Sequence, residues 1–271
     1  MKSLKLYVLA ILCCAQLFGY SQQDTSFTLT RTLHGDIVDF AVDNLGNVYL
    51  LSANNRLKKI NAKGDSLAAY NDVRQFGKVS SIDVTNPLKI LLYYKEFATI
   101  VMVDRLLTTL NSIDLRKINI FQAKAVGLAY DNNIWVYDEL EAKLKRISDD
   151  GSIISETTDI RQFVDVVPDP SSIIDQSGLV YMYDSTKGVY IFDHYGAYVR
   201  KIDLPGALDF SVIDKNLLGR NNKSFFRYSA GSLNVQQEPI PTRYLPAIKI
   251  IIMPAAVYVL KTSGLEIYSK N

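Results

Sequence analysis

The chain has 271 residues, of which 30 are basic and 28 acidic, with two histidines and two cysteines. This near-neutral balance gives no electrostatic reason to seek nucleic acid or anionic lipid, and 17 tyrosines favour strands over helices. Both cysteines, Cys13 and Cys14, fall near the N-terminus, so the rest of the chain has no disulfides, thiol catalysis or cysteine metal sites.

Lys2 and Lys5 precede an apolar run from Leu6 to Phe18, followed by polar Ser21, Gln22 and Gln23. The run is interrupted by Gln16 and falls short of the roughly 20 residues of a membrane-spanning helix, so residues 1–21 read as a secretory signal peptide. Gly19 and Ser21 are the small residues expected before a cut that leaves Gln22 as the new N-terminus. Leu12 and Cys13 occupy the place before Cys14 and its neighbour where a lipobox needs a small residue, which argues against lipidation. Without Lys2 and Lys5, basic and acidic residues balance at 28 each. Residues 22–271 are then expected to form one all-β domain.

Phe27 to Leu33 alternates Phe27, Leu29, Arg31 and Leu33 with threonines, the pattern of a strand. The next stretch sets the repeat: Asp39 to Asp43, a turn through Asn44 to Asn47, Val48 to Leu51, Arg56 to Ile60, a second turn through Gly64, and Ser66 to Tyr70. Four short strands joined by Asp, Asn and Gly turns make a propeller blade. The third strand recurs as Leu57/Ile60, Ile100/Val103, Leu144/Ile147, Val189/Phe192, Phe225/Tyr228 and Leu265/Tyr268, at intervals of 36 to 45 residues. First strands end near Asp43, Asp83, Asp131, Asp175 and Asp214, and second strands carry Tyr49, Trp135, Tyr181 and Tyr258. The prediction is a six-bladed β-propeller, with five blades as the alternative because Leu217 to Arg220 lacks the aromatic. Only three strands remain for the last blade, so Phe27–Leu33 is expected to supply its fourth and close the ring.

The blades resemble NHL and related six-bladed repeats, read as Asp-x-x-Gly-Asn-Val-Tyr followed by Arg-Ile-x-Lys-Phe, best over Asp43 to Ile60, Asp131 to Ile147 and Asp175 to Phe192. The resemblance implies an architecture that serves enzymes, lectins and scaffolds alike. The signal with Gln22 after it resembles those of exported Bacteroidetes proteins.

Candidate chemistry is sparse. His34 and His194 fall in loops, too few for a triad or a histidine metal cluster. The recurring aspartates read as turn caps rather than Ca2+ ligands, and the aromatic column as packing between blades. Glu139 with Glu141, and Glu96 near Asp104, read as solvated charge. No metal or cofactor is expected. What varies between blades is the connection to the next blade, long at Leu115 to Lys124, Ile160 to Pro170 and Glu238 to Pro246. Arg116, Phe121, Arg161, Phe163, Arg243 and Tyr244 on these loops are the candidate contacts for a protein partner. The functional expectation is a non-enzymatic binding or scaffold protein of the bacterial cell envelope, resident in the periplasm. It would act as an accessory subunit of an outer-membrane secretion or uptake complex. The alternative is a propeller enzyme or lectin acting on glycans or lactones.

Overall fold

The computed structural model describes residues 27–70, 76–229 and 235–270. The signal peptide expected over residues 1–21 and its cut before Gln22 lie outside the described residues. The chain begins with β1 (Phe27–Leu33). Blade 1 follows as β2 (Ile37–Val42), β3 (Val48–Ser52), β4 (Leu57–Ile60) and β5 (Ser66–Tyr70). Blade 2 holds β6 (Ser81–Asn86), β7 (Lys89–Tyr94), β8 (Thr99–Val103) and β9 (Thr109–Asp114), and blade 3 holds β10 (Ala123–Leu128), β11 (Ile134–Asp138), β12 (Lys143–Ile147) and β13 (Ile153–Glu156). Blade 4 comprises β14 (Ser172–Gln176), β15 (Leu179–Asp184), β16 (Gly188–Asp193) and β17 (Tyr198–Ile202). Blade 5 comprises β18 (Leu208–Ile213), β19 (Asn216–Arg220), β20 (Ser224–Ser229) and β21 (Val235–Pro239). Blade 6 runs β22 (Lys249–Ile252), β23 (Ala256–Lys261) and β24 (Gly264–Lys270), completed by β1 in the order β1-β24-β23-β22. Six four-stranded antiparallel sheets form a six-bladed propeller.

Alternation explains why the strands are apolar on both sides. In β7, Leu91 and Tyr93 face blade 3 while Ile90, Leu92 and Tyr94 face blade 1, because successive side chains of a strand point to opposite faces of its sheet. Every junction between neighbouring blades, including that of blade 6 with blade 1, has its own apolar cluster among the described residues. Tyr49, Trp135, Tyr181 and Tyr258 are all buried in these layers, as the repeat predicts. Blade 5 makes up for its missing aromatic from the next strand. Gly219 leaves room for the Phe226 ring, which a β-carbon at Gly219 would approach to 2.5 Å.

The third-strand repeat also has a local cause. At Ile60, Val103, Ile147 and Phe192 the pairing with the fourth strand shifts register, a bulge that precedes a capped turn. Asn61, Asp104 and Asp193 accept backbone N–H groups of those turns, as Asp104 does from Leu106 and Thr108 at 2.8 Å each. Closure is as expected: Phe27 pairs with Lys270 and Leu33 with Leu265.

The five aspartates of the first strand do not share one position. Asp43 caps its turn, accepting from the N–H of Leu45 and Asn47 and from the Tyr49 hydroxyl, and Asp131 accepts from the N–H of Asn133. Asp83 and Asp175 lie inside their strands and reach blade 3 from either side. Asp83 accepts from the N–H of Leu128, and Asp175 from the N–H of Tyr130 and from Trp135 Nε1. Asp214 sits at φ 48 in the tight turn between β18 and β19. Their recurrence therefore combines turn capping with locks between blades.

Candidate functional site

In an antiparallel four-stranded blade, the connections between blades share one end of the sheets with the turns between second and third strands. That end is the loop face. On it, the chain between β9 and β10 and the chain between β13 and β14 each carry a short 3-10 helix, Leu115–Ile118 and Ile160–Gln162. Asp114 and Asp159 cap them by accepting from the N–H groups of Arg116 and Arg161, which fixes where each helix begins.

These connections are fastened to their neighbours. Leu115 N–H donates to Ala98 O of blade 2, Glu139 N–H of blade 3 to Gln122 O, and Ile160 N–H to Ala142 O of blade 3. Asp169 N–H donates to the Asp184 carboxylate of blade 4 at 2.7 Å, and Lys187 Nζ to Val167 O at 2.7 Å. Lys124 Nζ bridges Glu139 and Asp169 at 3.0 Å each, and the hydrogen bond to Glu139, then that to Asp169, holds its ammonium above the usual lysine range. Lys145 is buried in the same blade between Asp138 at 2.8 Å and Glu141 at 3.1 Å. Burial opposes its charge, but the hydrogen bonds from Asp138 and Glu141 outweigh that and raise its pKa. The loop face of blades 2 to 4 is thus a rigid, internally bonded surface.

With the backbone polar groups engaged inward, the apolar side chains point outward. Phe121 is 55% exposed, Leu140 52%, Phe163 49% and Phe97 45%, with Val166 beside them on the 160–169 connection. Arg116 is exposed and donates through Nη2 to Glu96 O. Arg161 is exposed, with its guanidinium on the Asp159 carboxylate at 2.6 Å. Phe163 stacks on Tyr198 of blade 4, with ring centroids 5.9 Å apart and planes 13° from parallel.

Arg116 and Phe121 thus lie on the connection from blade 2 to blade 3, and Arg161 and Phe163 on the next, from blade 3 to blade 4. Arg243 and Tyr244 do not join them. They lie on the 3-10 helix Thr242–Tyr244 between blades 5 and 6, across the ring from the junction of blades 2 and 3. Tyr244 is 2% exposed and meets Tyr268 edge-on at 4.8 Å, while Arg243 O accepts from Lys261 Nζ and the Tyr268 hydroxyl. This corrects the sequence-based expectation for Tyr244: the ring anchors its helix to the core instead of facing a partner. Conversely, Phe97 and Leu140 were missed. Their signal was a bulky apolar residue between charges at a turn, in Lys95-Glu96-Phe97 and Glu139-Leu140-Glu141.

The other candidates separate too. Glu139 and Glu141 are engaged by lysines, and Glu96 and Asp104 flank opposite ends of β8. His34 sits near Ser263 O at the loop face. His194 lies in the turn after β16, its ring on Tyr130 at 4.1 Å and its Nδ1 3.3 Å from the buried Asp175 carboxylate. Among the described residues no group of three His, Cys, Asp or Glu could hold a metal ion.

No protein-family model and no curated protein matches the sequence. Solved structures do match. A catalytically inactive virginiamycin B lyase from Staphylococcus aureus with quinupristin aligns at TM-score 0.61 and 16% identity, over 90% of this chain and 88% of that one. A streptogramin B lyase aligns at TM-score 0.58 and 15% identity, over 86% and 78%. A protein of unknown function from Bacteroides caccae aligns at TM-score 0.53 and 13% identity, over 76% and 78%. At these identities the likeness establishes the six-bladed propeller, a fold that hosts unrelated functions.

Proposed function

We propose that the protein is a non-enzymatic docking scaffold of the bacterial cell envelope, binding a protein partner through the loop face of blades 2 to 4. The observation that carries this reading is the set of half-exposed Phe97, Phe121, Leu140, Phe163 and Val166 on loops bonded to their neighbours. Exposed apolar side chains gathered on the loops of neighbouring blades are candidate contact sites, and a preorganised surface loses little entropy on binding. Residence in the periplasm after removal of residues 1–21, as an accessory subunit of an outer-membrane secretion or uptake assembly, completes the proposal. No helix among the described residues is long and apolar enough to cross a membrane.

The test is to tag the protein at its native locus, solubilise the envelope gently and identify what co-purifies. Phe121→Ala with Leu140→Ala removes two exposed anchors while leaving the blade junctions intact. Interface hot spots cost about 2 kcal/mol or more, roughly thirtyfold in affinity, so the partner should be lost while the melting temperature stays within about 2 °C. Full retention of the partner would refute the assigned face. The enzymatic reading, a propeller acting on glycans or lactones, takes over if purified protein converts quinupristin, the molecule named with the Staphylococcus aureus lyase.

A further inference from the structure

The outer flank of the junction between blades 3 and 4 carries two clefts that share one wall. The first, of about 460 Å3, lies between the 160–169 connection and the outer strands of blade 4, and includes Phe163, Asp165, Lys187, Tyr190, Lys201 and Asp203. The second, of about 420 Å3, is bordered by Glu156, Thr157 and Thr158 of blade 3 and by Tyr195 and Ala197 of blade 4. Phe163 and Tyr198 line both, so their stacked rings form the ridge where two halves of one groove meet. The groove follows β17, whose outer edge pairs with no other strand among the described residues, and each half falls in the size range of ligand sites.

The chemistry of the first half restricts what it could hold. Two lysines, Lys187 and Lys201, stand against two aspartates, Asp165 and Asp203, so the lining is charge-balanced. Lys201 is bound to Asp203 at 2.6 Å and lies over the Tyr190 ring at 5.7 Å, and Lys187 is bound to Asp184 at 3.3 Å. An anion would have to displace Asp203 or Asp184 from its lysine. A cation would meet two ammonium groups, one already on the aromatic face it would seek. A neutral ligand with many hydroxyls meets neither obstacle: each hydroxyl both donates and accepts, matching ammonium donors and carboxylate acceptors, while the C–H face of a sugar ring covers an aromatic ring. The second half adds the hydroxyls of Thr157, Thr158 and Tyr195, and its one carboxylate, Glu156, is held by Lys143 at 2.6 Å.

We infer that this groove binds a neutral, linear oligosaccharide, laid across Phe163 and Tyr198 with its hydroxyls on the Lys201–Asp203 and Lys187 groups. This is a site apart from protein docking, although Phe163 belongs to both surfaces. The test is calorimetric titration of purified protein with maltohexaose, cellohexaose and chitohexaose as neutral probes and a heparin hexasaccharide as the anionic one. Binding of at least one neutral probe is expected, with heparin at least tenfold weaker. Phe163→Ala, on an exposed loop residue, and Asp203→Ala, on an exposed carboxylate, should each weaken binding about tenfold with the melting temperature unchanged. Absence of binding to all three neutral probes overturns the inference, as does preference for heparin or indifference to both variants. Phe121→Ala with Leu140→Ala should leave sugar binding intact, so failure of the docking reading and failure of the sugar site register separately.

Discussion

Replacing Asp184 by alanine probes how firmly the loop face is held. The Asp184 side chain is 1% exposed. It accepts from the N–H of Thr186 at 2.8 Å, the Thr186 hydroxyl at 2.7 Å, the N–H of Lys187 at 3.1 Å and the N–H of Asp169 at 2.7 Å. The last bond ties the 160–169 connection to blade 4. Hydrogen bonds to a charged group contribute about 1.5–3 kcal/mol each, and water recovers part of the turn bonds once the carboxylate is gone. A net loss of about 3–5 kcal/mol follows, which for a domain of this size lowers the melting temperature by about 6–20 °C. Burial alone would raise the carboxyl's pKa, but the N–H of Asp169 and the Thr186 and Lys187 groups outweigh it and hold the pKa below the ordinary aspartate value. The stabilisation is therefore complete above the ordinary aspartate pKa and lost as pH falls through the lower, folded value, so wild type and variant should converge in acid. Thermal unfolding across pH, with hydrogen exchange of residues 160–169, measures both. A shift under about 2 °C with unchanged exchange would refute the assignment.

Two further perturbations address the ring. A β-carbon at Gly127 would lie 2.3 Å from Ile173 O of the neighbouring blade, so Gly127→Ala should force β10 from β14 and cost about 1–3 kcal/mol in chemical unfolding, typical of overpacking. A wild-type midpoint would mean the blades are not in such close contact. Deleting residues 26–33 removes the ladder to β24 and bares Leu265 and its cluster, so the variant should aggregate or lose its single cooperative transition in a melting curve. Retention of wild-type melting would show the ring closes otherwise.

The blades were legible because their signals are local. An apolar pair three residues apart, then a turn opened by Asn, Asp or Ser, reflects a bulge that recurs in blades 1 to 4 and a side-chain cap that follows it in blades 1, 2 and 4. The aspartate column was less so: Asp83 does cap locally, accepting from the N–H of Thr85, but its second oxygen and the Asp175 carboxylate reach partners 40 to 45 residues away in another blade, and no local pattern encodes that. On the loop face, exposure depends on how a 3-10 helix seats. Phe163 and Tyr244 each lie at the end of one, yet the first faces outward and the second is buried on Tyr268. Arg243 stands across the ring from Phe121 for a reason that counting blades does give, since three blades separate them.

The strand that finishes blade 6 is the first of the described chain, and its mate is the last: Leu33 waits for Leu265, and Phe27 for Lys270. Blades 1 to 5 can each assemble from neighbouring hairpins as the chain becomes available, but the final junction cannot. Contacts this distant in sequence form slowly, and until they do Phe40, Val48 and Ile60 of blade 1 have no blade 6 to cover them. A partly synthesised chain is therefore an open arc with a sticky flank, the kind of species that aggregates or recruits chaperones. A chain cut short just after Lys261 would lack β24 and leave β1 unpaired, so loss of this one strand should be as damaging as loss of a whole blade.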